Sequence, residues 1–198
     1  MKPEITIVVL NDFADWEAAF LSTALRGGLY PGDEGRFEVR YMTPDGRAVE
    51  SLGGMRVQAD CDASALPDGC AGVVLVGGLS WQSPEAELIV PIVGEARRRN
   101  IPVGGICNAT LFLAAHGFLD SVRHTGNTVE AMRQWGGDRY RGEALYEERQ
   151  AVCDGGVVTA NGSAHLEFTR EYLRLLLPAQ HEQIEGWYMF YKNGFYKR

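Results

Sequence analysis

The stretch Ile101-Pro-Val-Gly-Gly-Ile-Cys-Asn-Ala-Thr-Leu-Phe-Leu-Ala-Ala-His-Gly117 constrains this chain more than any other. A short apolar run bounded by Pro102 and Gly105 reads as a strand that stops abruptly. Cys107 then falls at a turn, and Ala109 to Ala115 reads as a helix closed by Gly117. Such a strand-to-helix elbow holds one side chain out at the carboxyl edge of a sheet. It also aims the free N–H groups of the new helix at that side chain, so Cys107 is expected to ionise more readily than a free thiol. The blander alternative is a small thiol filling space behind the strand.

The other apolar runs say what kind of sheet the elbow belongs to. Ile5 to Leu10 and Gly72 to Val76 are continuous rather than alternating, as expected of parallel strands covered on both faces. Between and after them come helical patterns: Phe13 to Leu25, capped by Asn11 or Asp12 and ended by Gly27-Gly28; a segment opened by Ser83-Pro84, broken or restarted at Pro91 and continuing to Arg99; a short helix to about Trp135; and a helix from Ser163 or Ala164 to Leu177. Phe37 to Tyr41 alternates like a strand with one wet face. Leu52-Gly-Gly-Met55 and Asp154-Gly-Gly156 each join two strands of a hairpin. This order predicts an α/β layered fold with a mainly parallel sheet, whose site lies at the carboxyl ends of the strands.

Two further features would meet Cys107 there. Glu17 falls in the apolar stripe Phe13, Trp16, Phe20, Leu21, Ala24, where it is either a proton-passing carboxyl of raised pKa or a glutamate serving the helix start. Gly77-Gly78 brings bare backbone to the sheet edge. It is either a tight turn or, if the first two apolar strands flank the elbow strand, the place where the Gly78 amide joins that of Asn108 in an oxyanion hole.

Composition excludes several classes. In 198 residues, 26 acidic against 19 basic side chains give a net charge of −7, which disfavours a nucleic-acid partner. Arg97-Arg98-Arg99 suits the end of a helix. No run of eighteen apolar residues implies a membrane span, and the start leads directly into a strand without a secretory leader. Cys61, Cys70, Cys107 and Cys153 lack C-x-x-C spacing, and no histidine pair has ligand spacing. A cytoplasmic protein with reduced thiols, no metal and no cofactor is expected. Trp187-Tyr-Met-Phe-Tyr-Lys-Asn-Gly-Phe-Tyr196, in a tail from about residue 179, must dock on its own domain, on a second copy or over the Cys107 cleft.

The segments Ile7-Val-Val-Leu10, Asp15-Trp-Glu17, Val74-Leu-Val-Gly-Gly78, Gly105-Ile-Cys107, His124-Thr-Gly-Asn127, and Val158-Thr-Ala-Asn-Gly162 with Glu167-Phe168 together resemble the DJ-1/ThiJ/PfpI superfamily over nearly the whole chain. Within it they are similar to a bacterial subgroup named as cysteine peptidases or glutamine-amidotransferase-like proteins. The resemblance implies a flavodoxin-like three-layer sandwich in one domain spanning 1–198, often a homodimer. It matches Cys107 to the family nucleophile and Glu17 to the carboxylic acid that bonds it. PfpI-type peptidases place His directly after the nucleophile, where this chain has Asn108. A base would therefore come from His124, which matches a family histidine, or from His165, whose His165-Leu-Glu167 resembles the His-Pro-Glu of class I glutamine amidotransferases; each is otherwise an ordinary polar residue. The implied role is a cysteine-nucleophile enzyme on a small carbonyl or amide substrate, glyoxalase- or deglycase-like or an amidase. A redox-sensing protective protein and an amidotransferase-like module are the alternatives.

Overall fold

The computed structural model describes residues 2–30 and 32–196, so both ends of the expected 1–198 span fall outside it. The apolar runs become β1 (Glu4–Val8), β5 (Cys70–Leu75) and β6 (Val103–Ile106). The alternating segment becomes β2 (Glu38–Met42), and the hairpins become β3 (Val49–Glu50) with β4 (Arg56–Val57) and β7 (Ala151–Asp154) with β8 (Val157–Ala160). The main sheet has the order β2-β1-β5-β6-β8-β7. Only the β7–β8 pairing is antiparallel. The parallel strands alone follow the flavodoxin order 2-1-3-4-5. The helices are α1 (Asp15–Gly27), α2 (Val90–Arg98), α3 (Asn108–Ala115), α4 (Val129–Gly136), α5 (His165–Leu176) and α6 (His181–Asn193).

Strand alternation builds the two cores. Ile5, Ile7 and Val9 of β1 and its extension, with Val74 and Val76, pack beneath α1, α5 and α6. Val8, Leu10, Val73 and Leu75 face α2, α3 and α4. This is the flavodoxin-like three-layer sandwich that the resemblance implied. Pro84–Ile89 forms a 3₁₀ turn, and α2 restarts with Pro91 in its first turn, where the missing N–H costs nothing. The three arginines at its end are not merely solvated. Arg97 donates to the Gly155 carbonyl, Arg98 pairs with Glu95, and Arg99 reaches the carbonyls of Pro67 and Asp68.

Several local expectations are corrected. Helix α1 begins two residues later than the stripe suggests, after Ala14 and without a side-chain cap. Asn11 is unavailable because its Oδ1 accepts from the Glu50 amide, and Asp12 sits in the left-handed region at φ 58°. Trp16 is 49% exposed rather than in the core. The tail is helical. Ile184, Trp187 and Tyr188 dock on the α1–α5 side, whereas Met189, Phe190, Tyr191, Phe195 and Tyr196 stay exposed. The elbow strand β6 lies between β5 and β8, so the first apolar strand is one position further away than the oxyanion-hole reading required.

Behind the elbow, aromatic rings pack directly onto the backbone of β6. A Cβ on Gly104 would lie 2.8 Å from Phe168 Cζ and 3.0 Å from the Tyr172 ring. Those rings stack in the space a side chain would occupy, and the buried Tyr172 hydroxyl, 3.2 Å from each, shares its hydrogen between the Val73 and Pro102 carbonyls. Gly104→Val should therefore lower stability by about 1–3 kcal/mol in urea unfolding, through overpacking. Phe168→Leu in the same chain should recover part of that loss.

Candidate active site

Cys107 occupies the turn between β6 and α3 with φ 58° and ψ −130°, a conformation a non-glycine residue adopts at a cost of about 1–3 kcal/mol. Its neighbours over-determine that geometry. The Cys107 amide donates to the Ala160 carbonyl at 2.9 Å, and its own carbonyl accepts from both the amide and the hydroxyl of buried Thr110. The thiol is half-buried rather than sealed.

Glu17 is buried. Its Oε2 accepts from the Gly77 amide at 2.8 Å, and its Oε1 has no hydrogen-bond partner. A Cβ on Gly77 would run into both the Glu17 carboxyl and the Cys107 Cβ. On the other side, a Cβ on Gly162 would lie 2.8 Å from Cys107 Sγ and 3.3 Å from Glu17 Oε1. Two glycines thus let the acid and the sulfur share one small space. Burial pushes the Glu17 carboxyl up to about 7, against the pull of the Gly77 amide and the Cys107 thiol.

The sulfur is not acidified as the elbow alone suggested. Burial and then the negative charge of Glu17 push the Cys107 thiol up, while N–H groups of Asn127 and Asn108 pull it down. The Asn108 N–H at the start of α3 does reach the sulfur, but burial and then the Glu17 charge outweigh it. Groups this close exchange protons as a unit.

Asn127, to which the sequence reading assigned no role, ties the site together. Its Nδ2 donates to Cys107 Sγ at 3.4 Å and to Asn108 Oδ1 at 3.2 Å, and its Oδ1 accepts from the Gly162 amide at 2.9 Å. Asn108 Nδ2 in turn donates to the Gly78 carbonyl at 2.8 Å. The Gly77 amide is engaged by Glu17, whereas the Gly78 amide has no protein acceptor among the described residues. The repeated Asn-Gly and Gly-Asn pairs in Gly126-Asn127 and Asn161-Gly162 were the available signal.

Neither candidate histidine serves the cysteine. His124 is fully buried, its Nδ1 bonded to the Val122 carbonyl and its Nε2 to the Tyr140 hydroxyl, and burial lowers its pKa. His165 packs edge-on against Phe20, and burial lowers its pKa too. The glutamate of its amidotransferase-like triplet is taken: Glu167 Oε1 accepts from the Tyr188 hydroxyl at 2.9 Å and from Lys192 Nζ at 2.7 Å. Among the described residues, no three His, Cys, Asp or Glu side chains gather to hold a metal ion. No helix among them is long and apolar enough to cross a membrane.

An elbow cysteine facing a buried glutamate at the carboxyl edge of a 2-1-3-4-5 sheet coincides with a match of residues 3–175 to the model of the DJ-1/PfpI family. The chain belongs to the DJ-1/PfpI family. This DJ-1/PfpI protein is 33% identical over 189 residues to a Bacillus subtilis protein named uncharacterized protease YdeA, covering 96% of this chain and 91% of that one. It is 31% identical over 192 residues to another from the same organism, uncharacterized protease YoaZ, with the same coverage. Among solved structures, a DJ-1 superfamily protein from Agrobacterium tumefaciens superposes with TM-score 0.81 at 39% identity, over 93% of this chain and 96% of that one. The thiJ/pfpI family protein from Bacillus anthracis gives 0.83 at 29% identity, over 97% and 91%.

Two measurements check the electrostatics. Because the Glu17 charge raises the thiol and the Asn127 donor lowers it, Glu17→Gln should move the midpoint of Cys107 alkylation to lower pH. Asn127→Ala should move it to higher pH. For stability the sign follows from the raised carboxyl. The fold favours the protonated form, a contribution complete below the unfolded value near 4.5 and lost as pH rises through about 7. Glu17→Gln should therefore match the wild type at pH 4 and exceed it at pH 8 in chemical denaturation, by at most about 3 kcal/mol.

Proposed function

We propose that this protein is a cysteine-dependent enzyme acting on a small carbonyl or amide compound, with Cys107 as nucleophile and Glu17 as its proton acceptor and donor. The observation that carries the reading is the unpartnered Glu17 Oε1, buried beside the sulfur of a strained elbow residue. A carboxylate there takes the Cys107 proton as the sulfur's electron pair forms a bond to the carbonyl carbon. The C=O π pair moves to oxygen, for which the backbone N–H groups of Asn108 and Gly78 are the available donors; Gly78 follows β5, which flanks the elbow strand although β1 does not. The Asn108 backbone N–H becomes available to that oxygen because a sulfur bonded to carbon no longer needs its donor.

With an amide, the tetrahedral adduct collapses, the C–N bond breaks and the amine leaves with the proton held by Glu17. Water then adds to the thioester, giving its proton to Glu17, and the C–S bond breaks as sulfur regains a proton. With an α-oxoaldehyde, Glu17 first gives the thiol's proton to the adduct oxygen, completing the hemithioacetal. As a carboxylate it then takes the proton from the former aldehyde carbon, whose C–H pair forms the C=C bond of an enediolate while the ketone π pair moves to its oxygen. Glu17 returns that proton to the neighbouring carbon as the hydroxyl proton passes to the ketone oxygen and the thioester C=O forms. The resulting thioester hydrolyses to a 2-hydroxy acid. No imidazole enters either route, which supports small substrates over cleavage of folded chains despite the names of the Bacillus relatives.

The test is turnover of α-oxoaldehydes, small amides and short peptides. Cys107→Ser should lose at least about 10³-fold in kcat/KM, and Glu17→Gln about 10²–10⁴-fold. The acid limb of the wild-type profile should fall near the Glu17 value of about 7. Activity persisting in Cys107→Ser ends the reading.

A second reading, redox sensing, is favoured by one feature. The Asn127 and Asn108 N–H groups and a protonated Glu17 surround the sulfur as donors that would suit the oxygens of a peroxide-derived sulfinate. Intact-mass analysis after mild peroxide tests it; another cysteine oxidising before Cys107 counts against it.

A further inference from the structure

Periodicity puts Trp16 in the apolar stripe of α1, yet the indole is 49% exposed. It is nonetheless held in place. Its Nε1 donates to the Gly162 carbonyl at 3.2 Å, and the Gly162 Cα is the one whose missing Cβ would touch Cys107 Sγ and Glu17 Oε1. An anchored indole at the mouth of a nucleophile, adjacent in sequence to the proton-carrying acid, is an odd use of a large apolar side chain. Two more exposed apolar side chains come from loops stitched to the lead-in of the same helix. Leu52 is 46% exposed, with its amide on the Phe13 carbonyl; Leu79 is 65% exposed, with its amide on the Asp12 carbonyl, one residue after Gly78. The opposite flank differs in kind. Beyond Asn127 lies a cavity of about 420 Å³ lined by polar groups that include Thr128, Glu148, Gln150 and Asn161.

We infer that the Trp16 indole forms a subsite for an aryl or similarly flat apolar group attached to the reacting carbonyl, so that the substrate class is aryl-substituted carbonyl or amide compounds. The inference deepens the catalytic reading above and rests on it for the word substrate. The indole N–H is already committed to Gly162, so what Trp16 offers a ligand is its ring surface. Offset or edge-to-face packing on that surface rewards a second ring more than a methyl group.

The experiment reads the subsite without turnover. Cys107 is alkylated by iodoacetamide and by N-phenyliodoacetamide, each rate is normalised to that of glutathione, and Cys107→Ser identifies the site of labelling. The wild type should prefer the phenyl reagent by roughly 3- to 10-fold. Trp16→Ala should abolish the preference, and Trp16→Phe, which keeps a ring but loses the bond to Gly162, should retain most of it. No preference in the wild type, or an equal one in Trp16→Ala, overturns the inference. So does a loss of rate toward both reagents alike in Trp16→Ala, which would mean a disturbed sulfur. A changed sedimentation coefficient in Trp16→Ala with the preference intact would assign the ring to a protein interface and also overturn it. Failure of every carbonyl and amide in the turnover panel would end the catalytic reading while leaving the measured phenyl preference to stand or fall by itself.

Discussion

A carboxyl group with one oxygen bonded to a backbone amide and the other bare, enclosed beside a sulfur atom, is the contact around which this molecule is arranged. Bringing Glu17 that close requires α1 to enter the sheet edge at residue 15, which the Ala14 amide secures on the Gly77 carbonyl. It also requires no side chain at Gly77 or Gly162, and a cysteine turned out of its strand. Each of these features is locally unfavourable or at best neutral. Together they hold a carboxyl and a thiol side by side, each with its pKa raised first of all by burial.

Such an arrangement withdraws stability from the site, and the layers behind it return it. Phe168 and Tyr172 press onto Gly104 directly behind the elbow, and the C-terminal helix is locked to α5 through Glu167, Tyr188 and Lys192. Glu167 illustrates how context decides the fate of a buried acid. Burial pushes its pKa up, but the Lys192 ammonium, with Tyr188, brings it below the usual carboxylate range. Glu17 has no cation and goes the other way. Two buried glutamates, one on each of two packed helices, are thus driven to opposite protonation preferences.

The parts of this design that were legible in the sequence are those set by local pattern. Continuous apolar runs marked β1, β5 and β6, the glycine–cysteine–helix succession marked the elbow, and an acid inside an apolar stripe marked Glu17. What escaped depends on partners distant in the chain. Asn11 looks like a helix cap until Glu50 claims it, and Trp16 looks like core until Gly162, 146 residues away, holds it at the surface. His124 resembles a catalytic base, but Val122 and Tyr140 occupy both ring nitrogens. Asn127 is a loop residue of no evident period, and only the fold reveals that it spans from Cys107 to Gly162. The acidity of the thiol escapes for the same reason: the helix amide is visible in sequence order, whereas the burial of the sulfur and the charge of a carboxylate ninety residues earlier are not.

The bare Cα of Gly162 leaves no room to spare, because a carbon added there would lie 2.8 Å from the sulfur and 3.3 Å from the acid. A methyl introduced by mutation would have to push the strained cysteine or the carboxyl aside. The spacing of that pair is thus set by an atom the chain does not have, and residue 162 can take no side chain without parting the two groups.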